Sequence, residues 1–467
     1  MSTRGASRRS STDQRLADRL RDAVLERLEA YPGADQLGRE DRRELLRSWV
    51  EQELGVEARR RVDSGTPQLT RDEETALASA VEGAIWGLGR LQLLLDLPEV
   101  EDIYILGAQA PLLRMTDGSI RRAAEPVAAS DAELIEQLQY IAAHHGASER
   151  AFSPAQPCLN MQLPDGSRLA ALRDVVPHPT VTIRRHRLLD VTLADLVRLR
   201  MLSQQAAAFL SALVKSRFNV LITGMPVCGK TTLLRALCRE IPRDERIATL
   251  ETEYELGLHR LAQASPLIVA LEGRPGSTEV DPGTGQRAGE VSLSDLLHQT
   301  LRMSVTRVIV GEVRGAEALP MLEAMNSGMP GSMCTLHAGS AADAFERLVT
   351  AAMKAAGRGW SDSFVTRLAA QGIDYVVHLR HLDHPALGGR RRFVSEIAEV
   401  TDVNEVGVVA MNRVFAPDPG SADPRAVFRM APQVRRPFEE AGIDLDCLND
   451  QHLHVASNGS RRHPSWR

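Results

Sequence analysis

The feature of the sequence that most constrains the fold is a loop of the form G-x-x-x-x-G-K-[ST] at residues 224–231. An apolar run of strand length, residues 218–223, precedes it, and a run compatible with a helix, residues 232–235, follows it. A P-loop requires this context, because the loop amides and the helix N-terminus bind phosphate oxygens. The alternative is an ordinary glycine-containing turn between a strand and a helix, and the flanking segments favour the P-loop.

The residues of the loop divide between two predicted ligands, ATP and Mg²⁺. Lys230 is expected to reach the β- and γ-phosphates, and the Thr231 hydroxyl is expected to ligate Mg²⁺. The other predicted nucleotide-binding residues are Gly224, Met225, Pro226, Val227, Cys228, Gly229 and Thr232. All of these except Pro226 carry a backbone N–H that a phosphate can use.

Lysine is scarce in this chain, which supports the interpretation of Lys230. Only three of the 56 basic residues are lysines, at positions 215, 230 and 354. An ammonium is a compact point charge and a guanidinium is a planar fork, so the two are not interchangeable. A rare lysine at the one position that needs a point charge indicates phosphate binding.

The centre of the loop departs from the commonest P-loop sequences. P-loops often carry a second glycine where Val227 stands, and its neighbours Pro226 and Cys228 add bulk and stiffness. The remaining amides preserve phosphate binding, and we expect slower turnover than with a glycine-rich loop.

Length, charge and hydropathy exclude several classes of protein. A chain of 467 residues accommodates two or three domains. A net charge of −5 provides no overall basic field for nucleic acid. Five scattered cysteines indicate a reducing compartment. No apolar run approaches the roughly 18 residues of a membrane span, and residues 1–11 lack a secretory signal, so any membrane association is expected to be peripheral.

Sequence patterns along the chain predict five regions. A disordered start, residues 1–12, leads into helical patterns at 16–28 and 40–54, interpreted as an exposed helical hairpin or as a docking arm for a partner. Alternating strands and helices beyond residue 201 predict a mostly parallel sheet. The predicted regions are a start and helical extension (1–66), a small α/β domain (67–188), a linker (189–200), the nucleotide domain (201–416) and a tail with one short helix near Phe438 (417–467).

Charged or polar side chains follow three of the predicted strands, where ligands of open α/β sheets bind. Glu312 ends one apolar run and is the candidate acid that contacts Mg²⁺ and positions the attacking water. Glu251 ends a second apolar run and is the favoured acid for positioning water or contacting Mg²⁺. For Glu253 and Glu255, a solvated acidic loop is an equally good interpretation. His337 ends a third and is a candidate γ-phosphate sensor.

Arginines are the remaining candidates for phosphate contact. Arg274, Arg302 and Arg314 are the three considered, since an arginine can act across a subunit boundary in ring-forming ATPases.

Taken together, these segments resemble the CpaF-type ATPases of the type II/type IV secretion superfamily, which drive tight-adherence pili and related secretion machines. The resemblance covers roughly residues 91–402. It is carried by the P-loop and by residues 164–168, 182–184, 245–251, 301–303, 310–315, 324–328 and 331–338.

The resemblance implies a RecA-like P-loop ATPase domain preceded by a small α/β domain. It implies a cytoplasmic homo-hexamer that docks peripherally on inner-membrane platform proteins, with ATP turnover moving the N-terminal domains against the ring. By residue, it implies Glu312 as the Walker B glutamate, Glu251 in the acidic box and His337 in the histidine box.

The chain also departs from that family's pattern. Thr252 replaces the second acid after Glu251, Ser-Val-Thr at 304–306 replaces Arg-Pro-Asp, and Gly339 replaces an asparagine. Two other functions therefore stay under consideration. One is a nucleotide-binding ring subunit that does not hydrolyse ATP. The other is a nucleic-acid motor, which the net charge and an aromatic content of 4% disfavour.

Overall fold

The computed structural model divides the chain into two compact units, Met1–Arg185 and His186–Arg467. The residues that it describes are 16–17, 19–24, 26–28, 30–31, 39–71, 73–75, 77–78, 81, 88, 90–145, 151–163, 165–185, 190–261, 265, 267–274, 276, 287–356, 360–384, 389–404, 407–421 and 423–445. The predicted disordered start lies outside these residues. Within them, no helix is both long enough and apolar enough to cross a membrane.

The first unit begins with helices that pack their apolar faces together. Residues 16–17, 19–24 and 26–28 are helical, and α1 (Arg39–Asp63) runs nine residues beyond its predicted end. Leu20 and Val24 are buried in one cluster with Leu46 and Trp49. The helical periodicity is confirmed, and the docking function stays a prediction.

A six-stranded antiparallel sheet with two helices, α2 and α3, follows in the first unit. Its strands lie in the order β3-β2-β1-β6-β5-β4, and side chains on alternate positions, such as Ile103 and Ile105, bury one face against helix residues such as Leu134 and Leu138. The elements are α2 (Arg90–Leu95), β1 (Val100–Leu106), β2 (Leu112–Met115), β3 (Ile120–Arg122), α3 (Asp131–His145), β4 (Cys158–Gln162), β5 (Arg168–Leu172) and β6 (Thr180–Arg184).

The second unit alternates strands and helices. Its elements are α4 (Leu193–Arg198), α5 (Gln204–Lys215), β7 (Val220–Gly224), α6 (Lys230–Cys238), β8 (Ile247–Glu251), a 3₁₀ turn (Leu258–Arg260), β9 (Ile268–Glu272), α7 (Leu293–Thr300), β10 (Arg307–Val313), α8 (Ala318–Asn326), β11 (Met333–Leu336), α9 (Ala341–Ala356), α10 (Asp362–Gly372), β12 (Tyr375–His384), β13 (Gly389–Val403), β14 (Val409–Ala416), β15 (Val427–Phe428) and α11 (Arg436–Glu440).

These strands form one sheet in the order β15-β14-β13-β12-β7-β11-β10-β8-β9. The six strands from β12 to β9 run parallel, and β12 to β15 continue the sheet antiparallel. All residues of β7, β8 and β11 are buried, because apolar clusters cover both faces. The predicted α/β fold with a mostly parallel sheet is confirmed.

The predicted linker and tail both contribute to the core of the second unit. Residues 189–200 contain α4, which begins with a capping box between Thr192 and Asp195 and buries Leu196 completely. Beyond residue 417, β15 pairs with β14 and α11 carries Phe438, as the sequence predicts a short helix there. Glu399, which is 1% exposed, accepts hydrogen bonds from the amides of residues 433 and 434.

Phe438 provides a test of whether the C-terminal segment stabilises this unit. Its side chain is fully buried and its ring centroid lies 4.8 Å from that of Phe218. We expect Phe438→Ala to lower the free energy of unfolding by about 3–5 kcal/mol, because it leaves a cavity in the core. Denaturant unfolding measures this, and Val434→Ala, at a position that is 49% exposed, is the matched control. Equal stability of the two variants would mean that the segment is a dispensable tail.

Candidate functional site

The parallel order of the central strands brings the predicted site residues to one edge of the sheet. The P-loop follows β7, and β11, β10 and β8 lie successively beside it. His337 follows β11, Glu312 is near the end of β10, and Glu251 is the last residue of β8. The carboxyl ends of parallel strands meet at this edge, which is where open α/β sheets bind ligands.

The P-loop ends at the N-terminus of α6. Gly229 is the N-cap, adopts a left-handed backbone (φ 95°) and provides no side-chain cap. Gly229 therefore provides no side-chain acceptor for the first amides of α6, which also lack intrahelical acceptors, and the helix dipole favours an anion there. At the other end, a Cβ on Gly224 would lie 2.5 Å from the carbonyl oxygen of Leu379 and 2.6 Å from Cys228 Sγ, so the packing requires glycine.

Val227 adopts the left-handed conformation that glycine adopts readily. Its φ is 66°, which costs a residue with a Cβ about 1–2 kcal/mol, and a branched side chain adds to the crowding. The loop therefore keeps a conformation suited to glycine although the sequence lacks one there. Arg392 on β13 donates a hydrogen bond from Nε to the Val227 carbonyl oxygen at 2.8 Å.

Lys230 spans the interior of the loop and is only 7% exposed. Its Nζ donates to the carbonyl oxygens of Gly224 (3.1 Å) and Met225 (3.3 Å) and lies 3.1 Å from Nδ1 of His337. Burial lowers the pKa of Lys230, and the charge of Glu312 acts in the opposite direction. An ammonium has no lone pair, so Nδ1 of His337 is the acceptor.

Glu312 is held between His337 and Arg314. His337 Nε2 lies 2.5 Å from Glu312 Oε1, and Arg314 Nε donates to Glu312 Oε2 at 2.8 Å. Burial alone would raise the pKa of Glu312, but the hydrogen bonds from His337 and Arg314 outweigh it and lower that pKa to about 2. Glu312 is therefore ionised at neutral pH, and His337 joins it to Lys230.

Glu251 and Glu255, the first and last of the three acids at the end of β8, have different positions in the structure. Glu251, favoured by the sequence, is 3% exposed and uses Oε1 to accept hydrogen bonds from the amides of Glu255 (2.9 Å) and Leu256 (2.8 Å). Glu255 instead directs its carboxylate to Thr231, whose Oγ1 donates to Glu255 Oε2 at 3.2 Å. Glu251 thus fixes the backbone at residues 255 and 256, and this places the Glu255 carboxylate beside Thr231, the predicted Mg²⁺ ligand.

A buried arginine also holds the segment that contains Glu255. Arg235 of α6, which is 2% exposed, donates to the carbonyl oxygens of Glu255 and Leu256. On the neighbouring strand β10, Gly311 leaves room for Glu251, because a Cβ there would lie 3.0 Å from Glu251 Cγ. The position of Glu255 depends on contacts from α6, β8 and β10, and sequence spacing alone does not show them.

The structure does not join two of the predicted arginines to this network. Arg274 is exposed and donates to the carbonyl oxygen of Gly289, and Arg302 is exposed beyond the end of α7. Among the described residues, neither is hydrogen-bonded or ion-paired to the P-loop. Their action across a subunit boundary stays a prediction. Within the described part of the chain, Arg235, Arg314 and Arg392 contact the site instead, and no sequence signal singles out Arg392.

Comparisons with known proteins give consistent results. Residues 99–402 match the protein family described as "Type II/IV secretion system protein". A TrbB protein of Sinorhizobium fredii is 33% identical over 198 residues, which span 41% of this chain and 55% of that protein. A Mycobacterium tuberculosis protein named for conjugal transfer is 29% identical over 365 residues, 76% of this chain and 95% of that protein. The VirB11 ATPase structure of Brucella suis is similar at 26% identity, 70% coverage of this chain, 96% coverage of that one and a TM-score of 0.35.

The backbone of Val227 leads to a prediction about stability. Val227→Gly removes strain of about 1–2 kcal/mol and adds about 0.5–1 kcal/mol of conformational entropy cost, so we expect thermal stability to rise slightly or stay constant. The control is Val175→Gly, at a position that is 64% exposed and has no positive φ, where only the entropy cost applies. Calorimetry on both variants tests this, and an equal loss of stability in both would show that Val227 is unstrained.

Proposed function

Because the chain belongs to the type II/IV secretion system protein family, we propose that it is an ATP-hydrolysing motor subunit of a secretion or pilus assembly machine. The observation that carries the proposal is the continuous contact from the P-loop lysine to an ionised carboxylate. Lys230 meets His337, and His337 meets Glu312, on three neighbouring strand ends of one sheet.

The residues at this edge fit a nucleoside triphosphate with Mg²⁺. The uncapped N-terminus of α6 and the Lys230 ammonium provide cationic and N–H groups for phosphate oxygens. The Thr231 hydroxyl and the Glu255 carboxylate provide oxygen ligands of the kind that Mg²⁺ binds. When bound, Mg²⁺ neutralises charge that develops on the transferred phosphoryl group.

The chain's own residues then have separate roles in hydrolysis. Lys230 and the loop amides hold the phosphates, and Glu312 orients the attacking water by accepting a hydrogen bond from it. A carboxylate whose pKa is about 2 is a weak base at neutral pH, so orientation fits Glu312 better than early removal of a proton. His337 and Arg314 fix the carboxylate in place.

The finer parts of the proposal go beyond the family. We infer a CpaF-type ATPase from the motifs of the sequence, although the named relatives above belong to conjugal transfer and type IV secretion. The inference includes a homo-hexamer, docking on inner-membrane platform proteins and a position at the cytoplasmic face of the membrane. Arg274 and Arg302 are proposed contacts to the nucleotide of a neighbouring subunit.

A nucleotide-binding subunit without hydrolysis is the second candidate, and the bulky loop centre is the observation that favours it. The left-handed conformation of Val227 counts against it, because the loop keeps its shape without the glycine. Phosphate release by the purified protein with ATP and Mg²⁺ distinguishes the two candidates.

The first functional prediction compares Glu312 with Lys230. Glu312→Gln should retain ATP binding and lower turnover by about 100-fold or more, because the amide cannot replace the ionised acceptor. Lys230→Ala should weaken binding and abolish turnover, and Lys230→Arg should also fail, because a planar fork does not fit the position of the ammonium. Nucleotide titration and phosphate release are the measurements. Full activity in Lys230→Arg or in Glu312→Gln would contradict the assigned roles.

The second functional prediction concerns Glu255. If this carboxylate supports Mg²⁺ at Thr231, Glu255→Gln should weaken ADP binding about tenfold in the presence of Mg²⁺ and leave binding in EDTA unchanged. Glu253→Gln, two residues away, is the matched control and should leave both affinities unchanged. An equal loss for Glu255→Gln with and without Mg²⁺ would assign Glu255 to loop structure instead.

A further inference from the structure

Arg392 lies 165 residues after Val227 in the chain, yet its side chain reaches the centre of the P-loop. Nε of Arg392 donates to the Val227 carbonyl oxygen at 2.8 Å. Cδ of the same side chain lies 3.8 Å from the position that a Cβ would take on Gly229. The side chain therefore lies against two positions of the loop and is half-buried.

This contact occurs at the one loop residue whose backbone is strained. A P-loop binds an anion because successive amides point inward, and a left-handed residue among right-handed ones produces that arrangement. Val227, with φ at 66°, and Gly229, with φ at 95°, are both left-handed in this loop, and Val227 is the one that carries a side chain. Glycine adopts this conformation without help, whereas a β-branched residue is opposed by its own side chain.

We propose that Arg392 is a positioning residue of the P-loop: by binding the Val227 carbonyl oxygen, it holds the loop in its anion-binding conformation where the sequence lacks a glycine. The inference rests on the proposed function only in taking the anion to be a nucleotide phosphate. The bond to Arg392 fixes the orientation of the peptide between Val227 and Cys228, and so the direction of the Cys228 amide.

The charge of Arg392 acts on the same loop. Burial raises the pKa of the Cys228 thiol, and the positive charges of Lys230 and Arg392 act in the opposite direction. Arg392 therefore provides a directed hydrogen bond and a positive charge, and different substitutions separate the two. Lysine keeps the charge without the planar Nε–H donor, and glutamine keeps an N–H donor without the charge.

The test is a double-mutant cycle between Arg392 and Val227, read by titration of Mg²⁺ and a fluorescent ADP analogue. We expect Arg392→Ala to weaken binding about tenfold, or about 1.4 kcal/mol. In the Val227→Gly background the same change should weaken it less than about threefold, because glycine no longer needs the support. Arg392→Lys should resemble Arg392→Ala, and Arg392→Gln should retain part of the affinity.

The matched control is Arg391→Ala, the exposed neighbour on β13 whose side chain points to the other face of the sheet. It should leave the affinity unchanged in both backgrounds. Equal losses from Arg392→Ala in both backgrounds would overturn the proposal and assign Arg392 to direct nucleotide contact. Full rescue by Arg392→Lys would overturn it in favour of charge alone.

A second cycle distinguishes failure of this inference from failure of the proposed function. The thermal stability of the same four proteins is measured without nucleotide, so that any coupling between Arg392 and Val227 arises within the protein itself. Arg392→Ala should destabilise the wild type more than the Val227→Gly variant. Absence of this coupling overturns the positioning role. A coupled pair in a protein that does not bind the ADP analogue supports the positioning role and rejects the proposed function.

Discussion

The site depends on a lysine that the fold removes from water. An ammonium that is only 7% exposed needs hydrogen-bond acceptors and a nearby negative charge, because burial of an isolated charge is costly. Two loop carbonyls and His337 provide the acceptors, and Glu312 provides the charge. These groups come from β7, β10 and β11, so the arrangement exists only when three parallel strands are paired in the correct register.

Contacts at the amino-terminal ends of the central strands help to set that register. Arg307 begins β10 and is completely buried. It donates two hydrogen bonds of 2.6 Å to Glu245, which precedes β8, and one of 2.7 Å to the Val214 carbonyl oxygen at the end of α5. A bidentate pair fixes both distance and orientation. Because β10 carries Glu312 near its other end, the ion pair at the start of the strand constrains the position of the Glu312 carboxylate.

Local patterns predicted a large part of this structure. Motif spacing and apolar periodicity correctly placed three features: the apolar strand before the P-loop, the lysine of the P-loop and the acids at strand ends. Each of these depends only on residues that are close in the sequence. The positions of Glu251 and Glu255 did not follow, because they depend on Arg235 and Gly311, which approach from other elements. Arg392 was missed for the same reason, and the burial of Phe438 in the core followed from contacts with α5 rather than from its own segment.

A short route of hydrogen bonds and backbone leads from the P-loop to the helix after β11. Lys230 contacts His337, and two residues later the Gly339 amide donates to Oδ2 of Asp343 in the first turn of α9 at 2.7 Å. The Ser340 hydroxyl caps the same turn by accepting from the Asp343 amide. A shift of Lys230 toward a phosphate would change the contact at His337, and the short connection to Asp343 ties that change to the start of α9. Since α9 packs against α8 and α10, we expect the nucleotide state to alter the position of this helical layer rather than that of a single loop.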